Sequence, residues 1–174
     1  MQERGLVAAL TSQTERPVSV EPRADRWRLR FLSVLVAGVA VVADQVTKNL
    51  AVEHLPGHAV HLFGSISLAL QYNAGTAFSL FQGFGLWIEV VGIVLVCALL
   101  AVSRWVRSGV GAVGLGMVLG GAVGNLADRL FRGNHGAVID FIYTRYWPTF
   151  NVADACIVVG AVLLILSSWR RKAT

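Results

Sequence analysis

The sequence predicts an α-helical membrane protein, with four transmembrane helices carrying a small β-rich extracytoplasmic subdomain. Three observations predict it. The chain of 174 residues is 55% hydrophobic and only 14% charged, with a mean hydropathy of +0.63, far more apolar than an ordinary soluble domain. It contains four long apolar runs, Phe31–Leu50, Leu86–Val102, Ser108–Ala127 and Val152–Ser168, each approaching the roughly 17 to 25 residues that carry a helix across ~30 Å of hydrocarbon. Most of its basic residues gather in three places. Arg16, Arg23, Arg26, Arg28 and Arg30 precede the first run, Arg104 and Arg107 separate the second from the third, and Arg170, Arg171 and Lys172 follow the fourth.

These clusters orient the chain. Four spans put both termini on one side, and the positive-inside rule makes that side cytoplasmic. A formal charge of +5 in a soluble protein would suggest nucleic acid as a partner, but here the placement of the charges matters more than their sum, and no nucleic acid is expected. Cys97 and Cys156 each lie inside an apolar run and read as small buried hydrophobes. The spacing offers neither a disulfide framework nor a metal site, and no cofactor is expected.

Taken in order, residues 1–29 form a basic cytoplasmic arm whose mixture of charge, Ser, Thr and Pro predicts disorder. The first run ends in small residues, VAGVAVVA, that could mark a secretory cleavage point, but the long preceding arm and the three later spans argue for a retained helix. A four-span domain then covers 30–170, with an insertion at about 52–84 that is too polar and too punctuated by glycine to cross. Within it, alternation around Ser65–Leu68 and a turn-like Asn73-Ala74-Gly75 predict a small sheet on the outer surface. The third run places Gly116, Gly120 and Gly124 at the spacing that lets helices approach closely in lipid. Residues 171–174 are a short cytoplasmic tail.

The topology collects Asp44, Glu89, Asp128 and Asp154 at the outer ends of the spans and Asp140 in the outer loop, and a gathering of acids at one depth suggests a shared site. Local partners sort them. On a helix Asp44 meets Lys48 and Asp128 meets Arg132. Asp140 and Asp154 have no basic residue within four positions, so they need distant partners or a shared proton. Two carboxyls sharing a proton can activate a water for attack on an amide. Asn151 reads as an N-cap of the fourth helix, with Asp154 in its first turn, where the helix dipole favours the charged form. Glu89 receives no role.

Five stretches, Asp44–Lys48 (DQVTK), Asn73–Phe78 (NAGTAF), Gly120–Arg129 (GGAVGNLADR), Val138–Phe141 (VIDF) and Phe150–Asp154 (FNVAD), together resemble the lipoprotein signal peptidases, or signal peptidase II, over about residues 30–170. The resemblance implies a membrane aspartyl endopeptidase that removes signal peptides from bacterial prolipoproteins, cutting just before a diacylglyceryl-modified cysteine. It implies Asp140 and Asp154 as the catalytic dyad, the same pair that local partners leave unneutralised. Asp44, Lys48, Asn73, Gly75, Asn125, Asp128, Arg129 and Asn151 fall in the matching motifs as substrate-binding or dyad-supporting groups. No metal or other cofactor is implied. The expected partners are diacylglyceryl-prolipoproteins and membrane lipids, the expected state is a monomer, and the site should lie near the outer face of the cytoplasmic membrane. Two other classes fit parts of the pattern. A metal-dependent CDP-alcohol phosphotransferase would need an aspartate where Thr144 stands, and a proton-coupled transporter would need an acid in mid-span.

Overall fold

The computed structural model describes residues 23–75 and 85–169. Helix α1 (Arg23–His54) leads through strands β1 (Val60–Phe63) and β2 (Ile66–Asn73) to α2 (Gly85–Val102), a short 3-10 turn at Ser103–Trp105 and α3 (Gly109–Phe131). Strands β3 (Val138–Thr144) and β4 (Trp147–Phe150) follow, and α4 (Val152–Trp169) completes the fold. Three helices, Arg26–His54, Gly109–Phe131 and Val152–Trp169, are long and apolar enough to cross a membrane, and the apolar stretch Val90–Val102 of α2 is shorter. Helix α1 starts at Arg23, inside the arm expected to be disordered as far as residue 29, and Arg28 lies over the Trp27 ring there. The apolar side chains of α1 and α4 that face outward, among them Val34, Val39, Val42, Val158 and Val162, are exposed. A hydrocarbon solvent covers such a surface without cost.

Helix α3 is the axis of the bundle. It packs against α1 and α4 along most of its length and more lightly against α2. Glycine makes both close approaches possible. A methyl group at Gly116 would lie 2.6 Å from the Ser33 carbonyl, and one at Gly120 would lie 2.6 Å from both the Ala37 carbonyl and Ala40 Cβ. The stripe of Gly116, Gly120 and Gly124 therefore faces α1, while Gly114 faces Gly160 of α4, backbone to backbone. We expect Gly120→Val to destabilise the protein by about 1–3 kcal/mol by wedging α1 from α3. Gly38→Ala, where an added methyl meets nothing within 4 Å, should be neutral or slightly stabilising. Thermal unfolding of the two variants in detergent checks the contrast, and equal melting temperatures would refute it.

The sheet is larger than the sequence suggests. Strands β1 and β2 arise in the insertion expected to be β-rich, but they continue into β3 and β4, which come from the segment read as an outer loop. All neighbours are antiparallel, in the order β1-β2-β3-β4. The four residues Val138–Phe141 are all buried, so β3 lacks the alternation that marks a half-exposed strand. Its register pairs Asn73 with Val138 and Gln71 with Asp140. The C-terminal end of α1 closes the core beneath the sheet, where Ala51 and Leu55 pack with Ile139 and Phe141. Between α3 and β3 the chain reverses through Gly133 and Gly136, at φ 69° and 77°, a conformation that glycine adopts without penalty.

Candidate active site

Where the sheet meets the C-terminal end of α3 and the N-terminal end of α4, a cleft of ≈ 560 Å³ opens, and both Asp140 and Asp154 line it. Each arrives on a different kind of element. Asp140 projects from the middle of β3, and Asp154 stands in the first turn of α4. The start of α4 is capped as the sequence predicts, and more completely. Asn151 Oδ1 accepts the Asp154 backbone N–H at 2.9 Å, while Asp154 Oδ2 accepts the Asn151 N–H at 3.2 Å, the reciprocal arrangement of a capping box.

Asn151 also joins the two carboxylates. Its Nδ2 donates to Asp140 Oδ1 at 2.7 Å, to the Ile139 carbonyl at 3.2 Å and to Asn125 Oδ1 at 3.1 Å. Asn125 Nδ2 in turn donates to Asp154 Oδ1 at 2.8 Å, and Asn73 Nδ2 donates to Asp140 Oδ2 at 3.0 Å. Among the described residues, each carboxylate thus accepts hydrogen bonds from carboxamides. Burial pushes the Asp140 carboxyl up to about 6, and the nearby Asp154 charge adds to the rise. Hydrogen bonds from Asn73 and Asn151, and the Lys48 charge, oppose it. A carboxyl so placed keeps its proton far more readily than one in water.

Behind the amides lies a dry ionic cluster. Lys48, Asp44 and Asp128 have no exposed side-chain surface, and Lys48 Nζ sits 2.8 Å from both Asp44 Oδ2 and Asp128 Oδ2. Its third proton goes to Asn125 Oδ1 at 3.0 Å. Because an ammonium only donates, this bond makes the Asn125 oxygen face Lys48 and aims its NH₂ at Asp154. Both acids also reach the backbone, Asp44 with its other oxygen and Asp128 with the oxygen that Lys48 shares. Asp44 Oδ1 accepts the Ala153 N–H at 2.9 Å and Asp128 Oδ2 accepts the Ile139 N–H at 3.1 Å. The cluster therefore grips the residue immediately before each of Asp154 and Asp140.

Local reading of the helices correctly pairs Asp44 with Lys48 and Asp128 with Arg132, the latter at 2.9 Å. It misses that Lys48 serves both acids, because helical spacing carries no information about a neighbouring helix. Gln45 is a second omission. It bridges α1 to α3 by donating to Asp128 Oδ1 at 3.0 Å and to the Gly124 carbonyl at 3.1 Å, and it accepts from Arg132 Nη2 at 3.0 Å. Arg129 ties two loops by donating to the carbonyls of Gly136 at 2.9 Å and Gly75 at 3.3 Å. Gly75 N–H closes the turn onto Asn73 Oδ1 at 3.1 Å. Every expected site residue thus belongs to one connected network. The cleft also has an aromatic and apolar wall, formed in part by Tyr143, Trp147 and Phe150, of which only Phe150 falls in a motif. The side chain of Glu89 lies outside the described residues.

A helical bundle carrying a small sheet over a cleft with buried acids defines a class of membrane enzyme. The fold is similar to two bacterial membrane enzyme structures determined by the in meso method. One, at 2.3 Å resolution, matches with a TM-score of 0.72 and 26% identity, covering 80% of this chain and 88% of that one. The other, at 1.9 Å resolution, matches with a TM-score of 0.69 and 26% identity, covering 78% and 90% respectively. The chain belongs to the signal peptidase (SPase) II family, whose sequence pattern matches residues 36–170. It is 43% identical to the lipoprotein signal peptidase of Rhodococcus jostii over 85% of this chain and 77% of the relative. It is 41% identical to that of Mycobacterium leprae over 94% and 82%. The protein is accordingly a membrane peptidase of the aspartic type.

Proposed function

We propose that this protein removes signal peptides from prolipoproteins, cutting just before a diacylglyceryl-modified cysteine, with a water activated by Asp140 and Asp154. The observation that carries this reading is the shared setting of the two acids: one cleft, one bridging residue, Asn151, and carboxamide donors on both carboxylates. With one proton between them, the ionised carboxylate takes a proton from water as its oxygen attacks the scissile carbonyl. The protonated partner gives its proton to the carbonyl oxygen. Collapse of the tetrahedral intermediate breaks the C–N bond, and the amine leaves with a proton from the dyad. Asn73, Asn125 and Asn151 keep the two carboxylates oriented, and the ionic cluster of Asp44, Lys48 and Asp128 holds the backbone beneath them. Arg129 and Gly75 shape the loop at the mouth.

The reading places four spans in the cytoplasmic membrane, with α2 as the second, both termini in the cytoplasm and the cleft at the outer face. The arginines at the start of α1 and beyond α2 and the basic tail support that orientation. A signal peptide is itself an apolar helix, so its scissile bond reaches the cleft at the interface while the diacylglyceryl chains stay in lipid. The reading takes the enzyme as a monomer, since a site completed within one chain does not require a second copy.

The test is a cleavage assay with the purified protein in lipid, following the mass of a prolipoprotein with and without its diacylglyceryl group, in the presence and absence of EDTA. Cleavage before the cysteine of the lipidated substrate alone, unchanged by EDTA, is expected. Equal cleavage of the unmodified substrate, or inhibition by EDTA, would overturn the reading.

A further inference from the structure

The polar side chains of the cleft divide by what they already hold. Asn73 commits its oxygen to Gly75 N–H and its NH₂ to Asp140, and Asn151 is wholly buried in its four bonds to Asp140, Asn125, Ile139 and Asp154. Asn125 accepts from Lys48 and Asn151 and donates to Asp154. Gln71 differs from all of them. It lines the same cleft, its side chain is exposed there, and among the described residues its carboxamide makes no hydrogen bond.

Its position is set by the sheet. Gln71 is the direct cross-strand partner of Asp140, so the two side chains stand side by side on one face, with Cβ atoms about 4.5–5.5 Å apart in such pairs. A primary carboxamide offers an acceptor and two donors, matching the N–H and C=O of a peptide main chain. A substrate backbone drawn from water into the cleft must find such partners or lose its hydrogen bonds. The asparagines beside the acids have mostly spent theirs, and Thr149, on the β4 side of the cleft, offers only a hydroxyl.

We propose that Gln71 is a substrate-positioning residue that holds the main chain of the extended peptide beside the scissile bond. This inference rests on the peptidase reading above and adds a residue to it. Because it engages backbone rather than side chains, Gln71 supports cleavage of substrates with differing sequences, and it contributes to binding rather than to the proton transfers of the dyad.

The experiment compares wild type with Gln71→Met, of similar length but without donor or acceptor, using lipidated peptides in which single backbone nitrogens near the cut are methylated. Gln71→Met should raise KM about three- to tenfold, the effect of one or two net hydrogen bonds, and leave kcat within about twofold. At one position N-methylation should weaken wild type and leave Gln71→Met unaffected, a coupling that loss of structure does not produce. An unchanged KM, or identical N-methyl penalties in both proteins, would overturn the role of Gln71 alone. Failure of wild type to cleave the unmodified-backbone peptide would overturn the peptidase reading and this inference with it.

Discussion

Asp140→Asn and Asp154→Asn are each expected to lower kcat by about 10³-fold or more, because general acid–base catalysis of this kind contributes roughly 10²–10⁴ and neither carboxyl works without the other. The double variant should be no worse than either single one, since groups acting as a unit do not add. Full activity in either folded single variant would remove that residue from the chemistry. A physical signature accompanies the kinetic one. Asp140 titrates at about 6 in the folded chain, against an ordinary value of 3.8. Between those values the folded protein keeps a proton that the unfolded chain has lost, so stability is highest below the ordinary value and falls as pH rises toward about 6. The fall amounts to roughly 1.4 kcal/mol per pH unit across that window, about 3 kcal/mol in all. Melting temperatures measured in detergent from pH 4 to 8 should decline for wild type and flatten for Asp140→Asn. Parallel curves would show that another group carries the pH dependence.

Lys48→Met should be the most destabilising single change in the site. The substitution preserves bulk but leaves Asp44 and Asp128 buried with their shared cation removed, and breaking a buried ion pair in this way costs about 3–5 kcal/mol. It also removes one of the two donors that hold the Asn125 oxygen away from Asp154, leaving only the Asn151 NH₂ to do so. Adding Asp44→Asn and Asp128→Asn to Lys48→Met should restore much of the stability by removing the stranded charges while keeping oxygens for Ala153 N–H and Ile139 N–H. The triple variant should nevertheless remain at least about tenfold slower than wild type, because the Asn151 NH₂ alone then fixes the direction of Asn125. Thermal unfolding and cleavage rates of the single and triple variants test both points. A Lys48→Met protein as stable as wild type would mean that the cluster does not depend on its cation.

The ionic cluster also answers why so apolar a chain keeps these acids. Asp44 and Asp128 act as backbone clamps: one holds the start of α4 and the other holds β3, each at the residue before a carboxylate of the cleft. A hydrophobic pair at those positions would pack but would leave the Ala153 and Ile139 N–H groups without acceptors in a dry environment, where an unmade bond is costly. Gly124 belongs to the same device. A methyl there would lie 2.6 Å from Asp44 Oδ2, so the small residue leaves room for the carboxylate between the helices.

How much of this was legible depends on distance along the chain. The sequence by itself determined the apolar helices, the close-packing glycine stripe on α3, the pairs Asp44–Lys48 and Asp128–Arg132, and the Asn151 cap with Asp154 in the first turn. Each of these follows from helical spacing or local capping, and the physics acts within a few residues. The isolation of Asp140 and Asp154 from local cations was visible for the same reason. Only the tertiary structure decided what those acids meet. The bond from Asn73 to Asp140 spans 67 positions and that from Asp44 to Ala153 spans 109, and no periodicity encodes either. The strand character of Val138–Phe141 was hidden because both of its faces are buried, which erases alternation, and with it went the β2–β3 register that sets Gln71 beside Asp140. Cross-strand register and interhelical contact arise from the packing of the whole chain, and they turn separately readable polar residues into one network around a cleft.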